Sequence, residues 1–503
     1  MSYFLVGVGG TGAKLTQSLI HLSAAGLLPD RGRNLECLLV DPDKNNGNGG
    51  ASKMLADLYK PCADLGCGEK SSLFSKKINV EGSWTPVEDM EEATLNTFFR
   101  YTAMQGHPKT SIDADLMELL FKPEERDLPI HEGFRGHPAI GAAIFAKQID
   151  LEEPGSVWKA FHAKVQAATN APNATVPLVL AGSIFGGTGA AGVPTICKLL
   201  DKEMTEKKLR LGMFLFLPYF QYAKVENQRL QADPANFMLA AREALNYYHD
   251  AQFLEKCDSF YTIGEQRWAE MPVSRVGGRE QKNPAHFLEL VAGLGAVRFM
   301  TWDGKAEAKN FYRAARTEEN TVTWDDLPTA DGQEKKQREL LQQMVLFAVM
   351  YHMIFYPEID TGELGNRNSH YPYLREHSRA RPAMNKEQVL KQLKNVEQYV
   401  QAFLKWVIEI ATPWPGFNNG LVDLNVFATR TDKGWEVKTP TLDKSFLKQF
   451  DRSIDGLFLG LKGRDKPDYD RVLRAAANPV TDQTVSDAGY LVRAIYDACK
   501  FSK

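Results

Sequence analysis

Short, wholly apolar runs alternate with polar, helix-periodic stretches along this chain. Residues 3–8 (YFLVGV) form a continuous apolar run closed by glycines, which predicts a buried strand, and a helical pattern follows over roughly 12–25. LECLLVD at 35–41 predicts the next strand, and residues 174–182 predict another, followed by a helix over about 190–206. LRLGMFLFLPYF at 209–220 is a third strong strand, a helix is expected over 235–250, and CDSFYTIGE at 257–265 completes the series. Runs that are apolar at every position mark strands covered on both faces, as in parallel sheets. The alternation argues for an α/β domain with a parallel sheet and helices on both faces.

The pattern changes further on. Residues 266–284 read as a loop containing Gly277-Gly278, and Asn283-Pro284 is a helix-start signal for a long apolar helix over 285–300. Long helices are expected at 335–356 and 385–411, then two short strands (LVDLNVFAT and GWEVKT), then helices at 443–462 and 486–500. The C-terminal part therefore reads as mostly helical α+β. KNNGNGGA at 44–51 reads as a flexible loop by composition. Residues 52–130 carry little signal beyond a helix over 88–104. A chain of 503 residues is too long for one core, so two or three domains are expected.

Composition narrows the class. Hydrophobic content of 44% and charged content of 24% are those of a soluble globular protein. A net charge of -3 supplies no basic field for nucleic acid. No apolar run reaches the roughly 18 residues of a spanning helix, and MVLFAVMYHMIFY at 344–356 reads as a core helix. The N-terminus enters a strand at once, so no signal peptide is expected. The six cysteines contain no CxxC pair, and nothing near Cys62 and Cys67 completes a zinc set, so buried reduced thiols in a cytoplasmic protein are expected and no metal-ligand cluster.

The candidate chemistry lies in two glycine-rich loops that each follow a buried strand: YFLVGVGGTGAK at 3–14 and LVLAGSIFGGTGAAG at 178–192. Such a turn lets backbone N–H groups point at one anion without a side chain blocking the approach, and the following helix adds a partial positive charge. Gly9, Gly10, Thr11 and Gly12 fit this role in the first loop, and Gly186, Gly187, Thr188 and Gly189 in the second, where Thr188 can add a hydroxyl. Either loop alone could equally be a tight turn for helix–strand packing. Asp41 and Asp43 end the second strand, where a carboxylate suits Mg²⁺ held through water, or a ribose in a dinucleotide fold. Lys14 either reaches phosphate or lies on the helix surface.

Phe185-Gly186-Gly187-Thr188-Gly189-Ala190-Ala191-Gly192 resembles the GGGTG[ST]G signature of the tubulin/FtsZ superfamily. A third segment, GFRGHPAIGAA at 133–143, resembles that family's phosphate-sensing loop. Arg135-Gly136-His137 matches the tubulin form ARGHYTIG, and Pro138, Ile140 and Gly141 match the FtsZ form GGNPEIG. The pieces also stand in the family's order along the chain. The resemblance is to the divergent bacterial and archaeal tubulin-like proteins and covers roughly residues 1–300. It implies a nucleotide-binding domain over 1–284, a central connecting helix over 285–300 and a C-terminal α+β domain over 301–503. It further implies GTP or GDP with Mg²⁺, Asn283 at the guanine-contacting position, Leu217-Pro218-Tyr219-Phe220 beside the ribose, and Glu226 or Arg229 near sugar or phosphate. By resemblance the function is nucleotide-dependent assembly or conformational switching in a homo-oligomer or multi-protein assembly, with cytoskeletal or peripheral membrane roles.

One family element is absent. The acidic GxxNxDxx[DE] loop that completes hydrolysis in a neighbouring subunit has no counterpart in TWDGKAEAKNFYRAARTEENTVTWDDLPTA at 301–330, where Asp303, Glu307, Asp325 and Asp326 lie out of frame. Nucleotide binding is therefore better supported than hydrolysis, and no catalytic residue is assigned. Three alternatives stay open: a ThiF-like adenylating enzyme, which GVGGTGAK and VDPDKNN would suit; a Rossmann oxidoreductase using NAD or FAD; and a non-hydrolysing structural subunit. His286 and the cluster Trp406, Trp414, Phe417 read as structural, whereas His137 is expected near the phosphates or at a subunit contact.

Overall fold

A computed structural model describes residues 2–28, 33–67, 71–85, 93–105, 111–131, 133–134, 137–148, 156–172, 175–201, 208–222, 236–271, 278–279, 282–302, 318, 320–329, 333–361, 372–381, 384, 386–441, 443–462, 466–478 and 485–501. The chain divides into two compact units. The first comprises Met1–Thr16, Leu35–Lys53 and Asn79–Asn283, and the second Gln17–Asn34, Met54–Ile78 and Pro284–Lys503.

The first unit is an α/β domain built on a parallel sheet of six strands. In chain order its main elements are β1 (Ser2–Val8), α1 (Gly9–Ala24), β2 (Asn34–Val40), α2 (Gly47–Ala63), β3 (Ile78–Trp84), α3 (Pro138–Gln148), α4 (Val157–Thr169), β4 (Val176–Ser183), α5 (Gly187–Leu199), β5 (Leu209–Phe216), α6 (Phe237–Asp250) and β6 (Ser259–Ile263). The helices α1 and α2 start in this unit and continue into segments of the second. The strand order is β3-β2-β1-β4-β5-β6, that of a doubly wound Rossmann-like sheet. β1, β4 and β5 are buried along nearly their whole length, as their largely apolar sequences favour, with Arg210 the one charged residue among them. β1 pairs with β4 in parallel from Phe4↔Leu178 to Val8↔Gly182, and β4 with β5 from Val176↔Leu209 to Ser183↔Phe216.

Four local expectations need correction. KNNGNGGA is not a flexible loop: α2 begins at Gly47 inside it, because the Asn46 side chain accepts the Asn48 and Gly49 N–H groups (2.9 and 3.2 Å) and caps the helix. The helix over 88–104 is two short pieces, Leu95–Phe98 and Tyr101–Met104, broken at Arg100, whose φ of 57° is left-handed; residues 86–92 lie outside the described residues. INVEGSW, unread as a strand, is β3; its mixed polarity hides an edge strand. The run at 421–429 is a 3₁₀ turn at Leu424–Val426 and a strand at Ala428–Thr431, rather than one strand.

The second unit is largely helical. It holds α7 (Phe287–Thr301), α8 (Glu334–Met350), α9 (Glu387–Ala411) and α10 (Asp487–Ala498), with small sheets such as the antiparallel pair Ala428–Thr431 and Gly434–Val437. α7 starts at Phe287, not at Pro284. His286 is the cap: its ring accepts the Leu288 N–H (3.2 Å) and Glu289 accepts the His286 N–H (3.0 Å). α8 runs through a π turn at Tyr351–Phe355 into Tyr356–Asp360, where Pro357 cannot donate to the regular ladder. The continuous helix Glu334–Asp360 is long and apolar enough to cross a membrane, but 83% of its apolar window is buried within the protein, as a core helix is. Around α9, His21 touches Tyr399, Phe403 and Trp406, and burial pulls the His21 imidazole down to about 3. Trp406 and Trp414 are both buried, Trp414 against His286, Phe287 and Phe417. All six cysteines are free, five of them buried and Cys257 half-buried.

Candidate phosphate-binding site

The register of the sheet sets the site. Val8 pairs with Gly182, so β1 and β4 end side by side and both glycine loops leave the same edge of the sheet. β1 and β4 are also the pair at which the strand order reverses. In open α/β sheets ligands bind in the crevice at such a switch point, beyond the carboxyl ends of the strands.

The two loops touch. A Cβ built on Gly9 would lie 3.4 Å from the Thr188 Cβ and 3.5 Å from the Gly189 amide nitrogen. Gly9 has a φ of 71°, the left-handed region in which a side chain is strained, so glycine is required there by conformation. On its other side the first loop meets α2: a Cβ on Gly10 would lie 2.9 Å from Asn48 Nδ2. The N-termini of α1, α2 and α5 therefore converge on one place. None of the three has an acidic residue in its first turn, and Gly186 gives α5 no side-chain cap. Each helix start carries roughly half a positive charge, and the first four N–H groups of a helix have no partner within it. In α2 several of these groups are already used, by Asn46 and by the Gly278 carbonyl (Gly47 N–H, 3.2 Å). The donors available to an anion are thus the N–H groups of the two glycine loops.

Not every glycine in these loops faces the crevice. A Cβ on Gly12 would lie 2.7 Å from the Ala181 carbonyl oxygen, and one on Gly189 would overlap the Ser183 carbonyl and lie 2.7 Å from its nitrogen. Gly12 and Gly189 are there because backbone packs on backbone. Gly10, Gly186 and Thr188 are half-buried at the loop surfaces, whereas Gly9, Thr11 and Gly187 are buried.

Asp41 and Asp43 follow β2 and are both buried. Asp41 Oδ1 accepts the Asp43 N–H (3.0 Å). The two Asp43 oxygens accept the Asn45 N–H (2.8 Å) and the Gly278 N–H (2.6 Å). Burial pushes the Asp41 carboxyl up to about 7; the bond from Asp43 N–H opposes this and the Asp43 charge adds to it. A buried carboxyl with an elevated pKa, beside a second carboxylate, fits a divalent cation held through water at Asp41. Among the described residues no group of three or more His, Cys, Asp or Glu is placed to hold a metal directly.

The remaining expectations divide. Arg135 and Gly136, with Glu226, Arg229, Asp303 and Glu307, lie outside the described residues. His137 precedes α3, and its Nδ1 lies 3.0 Å from Glu125 Oε1. α3 packs on α5, where a Cβ on Gly141 would lie 2.7 Å from the Ala191 Cβ. Asn283 joins the site through its backbone, whose N–H donates to Asn48 Oδ1 (3.0 Å). Lys14 is not on the helix surface: it is 3% exposed, with its ammonium 5.7 Å from the centre of the Tyr219 ring. Asn46 and Asn48 are site residues that the sequence reading missed. The signal for them was an asparagine just before a glycine-rich helix start, a capping pattern. No family model matches this chain, and no curated protein matches it.

Proposed function

We propose that the chain binds a guanine nucleotide with Mg²⁺ in the manner of the tubulin/FtsZ superfamily, and that the bound nucleotide switches its conformation or its assembly with other copies. The observation that carries the reading is the meeting of three acid-free helix starts at the sheet's switch point, joined through Gly9–Thr188 and Gly10–Asn48. A single glycine loop serves many folds; two in contact can turn their N–H groups toward one polyphosphate. Asp41 would hold the cation through water, and the cation's role is to offset phosphate charge. Asn283, whose backbone is held at the same site, would read the base. The acidic loop that completes hydrolysis in that superfamily has no counterpart at 301–330, so the reading extends to binding and not to hydrolysis.

A dinucleotide-binding oxidoreductase is the second reading, favoured by the β3-β2-β1-β4-β5-β6 order and by an aspartate after β2. Against it, a dinucleotide fold accounts for the first glycine loop and Asp41 but leaves the second loop at Gly186–Thr188 without a role. Denaturing the purified protein and identifying the released compound by chromatography separates the readings. GDP or GTP supports the proposal, NAD or FAD the oxidoreductase, and AMP-forming pyrophosphate exchange an adenylating enzyme. Release of no nucleotide, together with no uptake of added GDP, overturns it. Light scattering in GTP against GDP then tests for switched assembly.

A further inference from the structure

We infer that Asn48 is a positioning residue that couples the phosphate end of the site to the base-reading end, an inference that rests on the nucleotide reading above. Asn48 is 3% exposed, in the first turn of α2. Its two side-chain atoms point to different parts of the site. Oδ1 accepts the Asn283 N–H at 3.0 Å, and Nδ2 lies against Gly10 of the first glycine loop, 2.9 Å from where a Cβ would be. Its backbone is anchored as well: its N–H donates to Asn46 Oδ1 (2.9 Å), and its carbonyl accepts the Ser52 hydroxyl (3.0 Å), which also donates to the Ala13 carbonyl of α1 (2.8 Å).

The segment ending at Asn283 is thereby tied to the 43–48 turn at both ends. Gly278 donates to Asp43 and accepts from Gly47 at one end, and Asn283 donates to Asn48 at the other. Pro284 restricts residue 283 to extended backbone. With its N–H held by Asn48, the Asn283 backbone has a defined place relative to the phosphate loop. Its half-buried side chain is then presented from a fixed point. Base recognition by paired hydrogen bonds depends on such placement.

The test compares wild type, Asn48→Ala and Asn48→Asp by titration calorimetry with GDP, ADP and pyrophosphate. Asn48→Ala removes the acceptor for Asn283. The expected result is an about tenfold smaller preference for GDP over ADP, as for the loss of one buried hydrogen bond, with pyrophosphate affinity changed by less than about threefold. Asn48→Asp keeps an acceptor oxygen but adds negative charge beside the phosphates. It should keep the GDP-to-ADP ratio and weaken all three ligands. A merely structural role would move both variants' ratios together or neither. An unchanged ratio in Asn48→Ala, a ratio lost equally in Asn48→Asp, or no base preference in wild type overturns the positioning role while leaving the phosphate site standing. Failure of wild type to bind any of the three overturns the nucleotide reading, and this inference with it. Should Asn48→Ala not fold, hydrogen exchange in wild type decides: the Asn283 amide is expected to be protected, and rapid exchange there refutes the link.

Discussion

Asp41→Asn should stabilise the ligand-free protein, and more so as pH rises. Burial lifts the Asp41 carboxyl from its ordinary 3.8 to about 7. The native state therefore binds this proton more tightly than the unfolded chain does, and stability falls as pH climbs from about 4 to about 7. The gap between the two values, at about 1.4 kcal/mol per pH unit, corresponds to about 4 kcal/mol above pH 7.5 and about 2 kcal/mol near pH 5.5. Asparagine keeps the oxygen that accepts the Asp43 N–H and carries no charge. Urea unfolding of both proteins between pH 4 and pH 8.5, followed by a probe in the first unit, measures the difference directly. It should be near zero at pH 4, grow through pH 5–7 and level off. A difference that stays flat across this range would refute a carboxyl held neutral by burial.

Gly189→Ala should abolish phosphate binding and lower the melting temperature, because the new Cβ would strike the Ser183 backbone; Thr188→Ala should keep the melting temperature and weaken GDP about tenfold by calorimetry. In the second unit His352 Nδ1 lies 2.6 Å from the Glu397 carboxylate and its Nε2 donates to the Lys438 carbonyl at 2.8 Å, an oxygen that can only accept. Burial pulls the His352 pKa down, but the Glu397 bond and charge and the Lys438 carbonyl carry it above the ordinary 6.5. Its contribution is then complete below pH 6.5 and is lost as pH rises through the folded value; Glu397→Gln should flatten that part of the unfolding profile and cost about 3 kcal/mol at pH 6. Ellman's reagent should label one thiol, the half-buried Cys257, in the native protein and all six after denaturation.

The buried strands were legible because each is apolar at most positions, with Glu36 and Arg210 as buried exceptions, and strands covered on both faces favour that pattern. The glycine loops were legible because their residue types serve a backbone geometry. What escaped was of two kinds: features set by neighbours distant in sequence, and helix caps whose local pattern was overridden by glycine content or by a neighbouring proline. β3 reads INVEGSW, and its strand character comes from pairing with β2 rather than from its own residues. KNNGNGGA has the composition of a mobile loop, yet Asn46 caps a helix there and Asn48 reaches Gly10 and Asn283. Asn283 looked like a helix start beside Pro284, while the cap that forms is His286 with Glu289. The difference between Gly9, which meets the second glycine loop at Thr188, and Gly12, which packs on Ala181, is invisible in the string GVGGTG.

The charges at the switch point bear on what the site can hold. Three helix starts contribute roughly one and a half positive charges and α1 adds the buried Lys14 ammonium, while the loop after β2 carries the Asp43 carboxylate and Asp41, whose pKa burial raises to about 7. The positive terms less the two aspartates fall well short of the about three negative charges of a bare polyphosphate. An ion that arrives with the phosphates changes this balance. It offsets most of their charge and gives the ionised form of Asp41 a partner, which draws that carboxyl down from about 7. Mg²⁺ should therefore tighten GDP more at pH 8 than at pH 5.5 in wild type. In Asp41→Asn the tightening should be smaller and the same at both values, because nothing remains at position 41 to lose a proton.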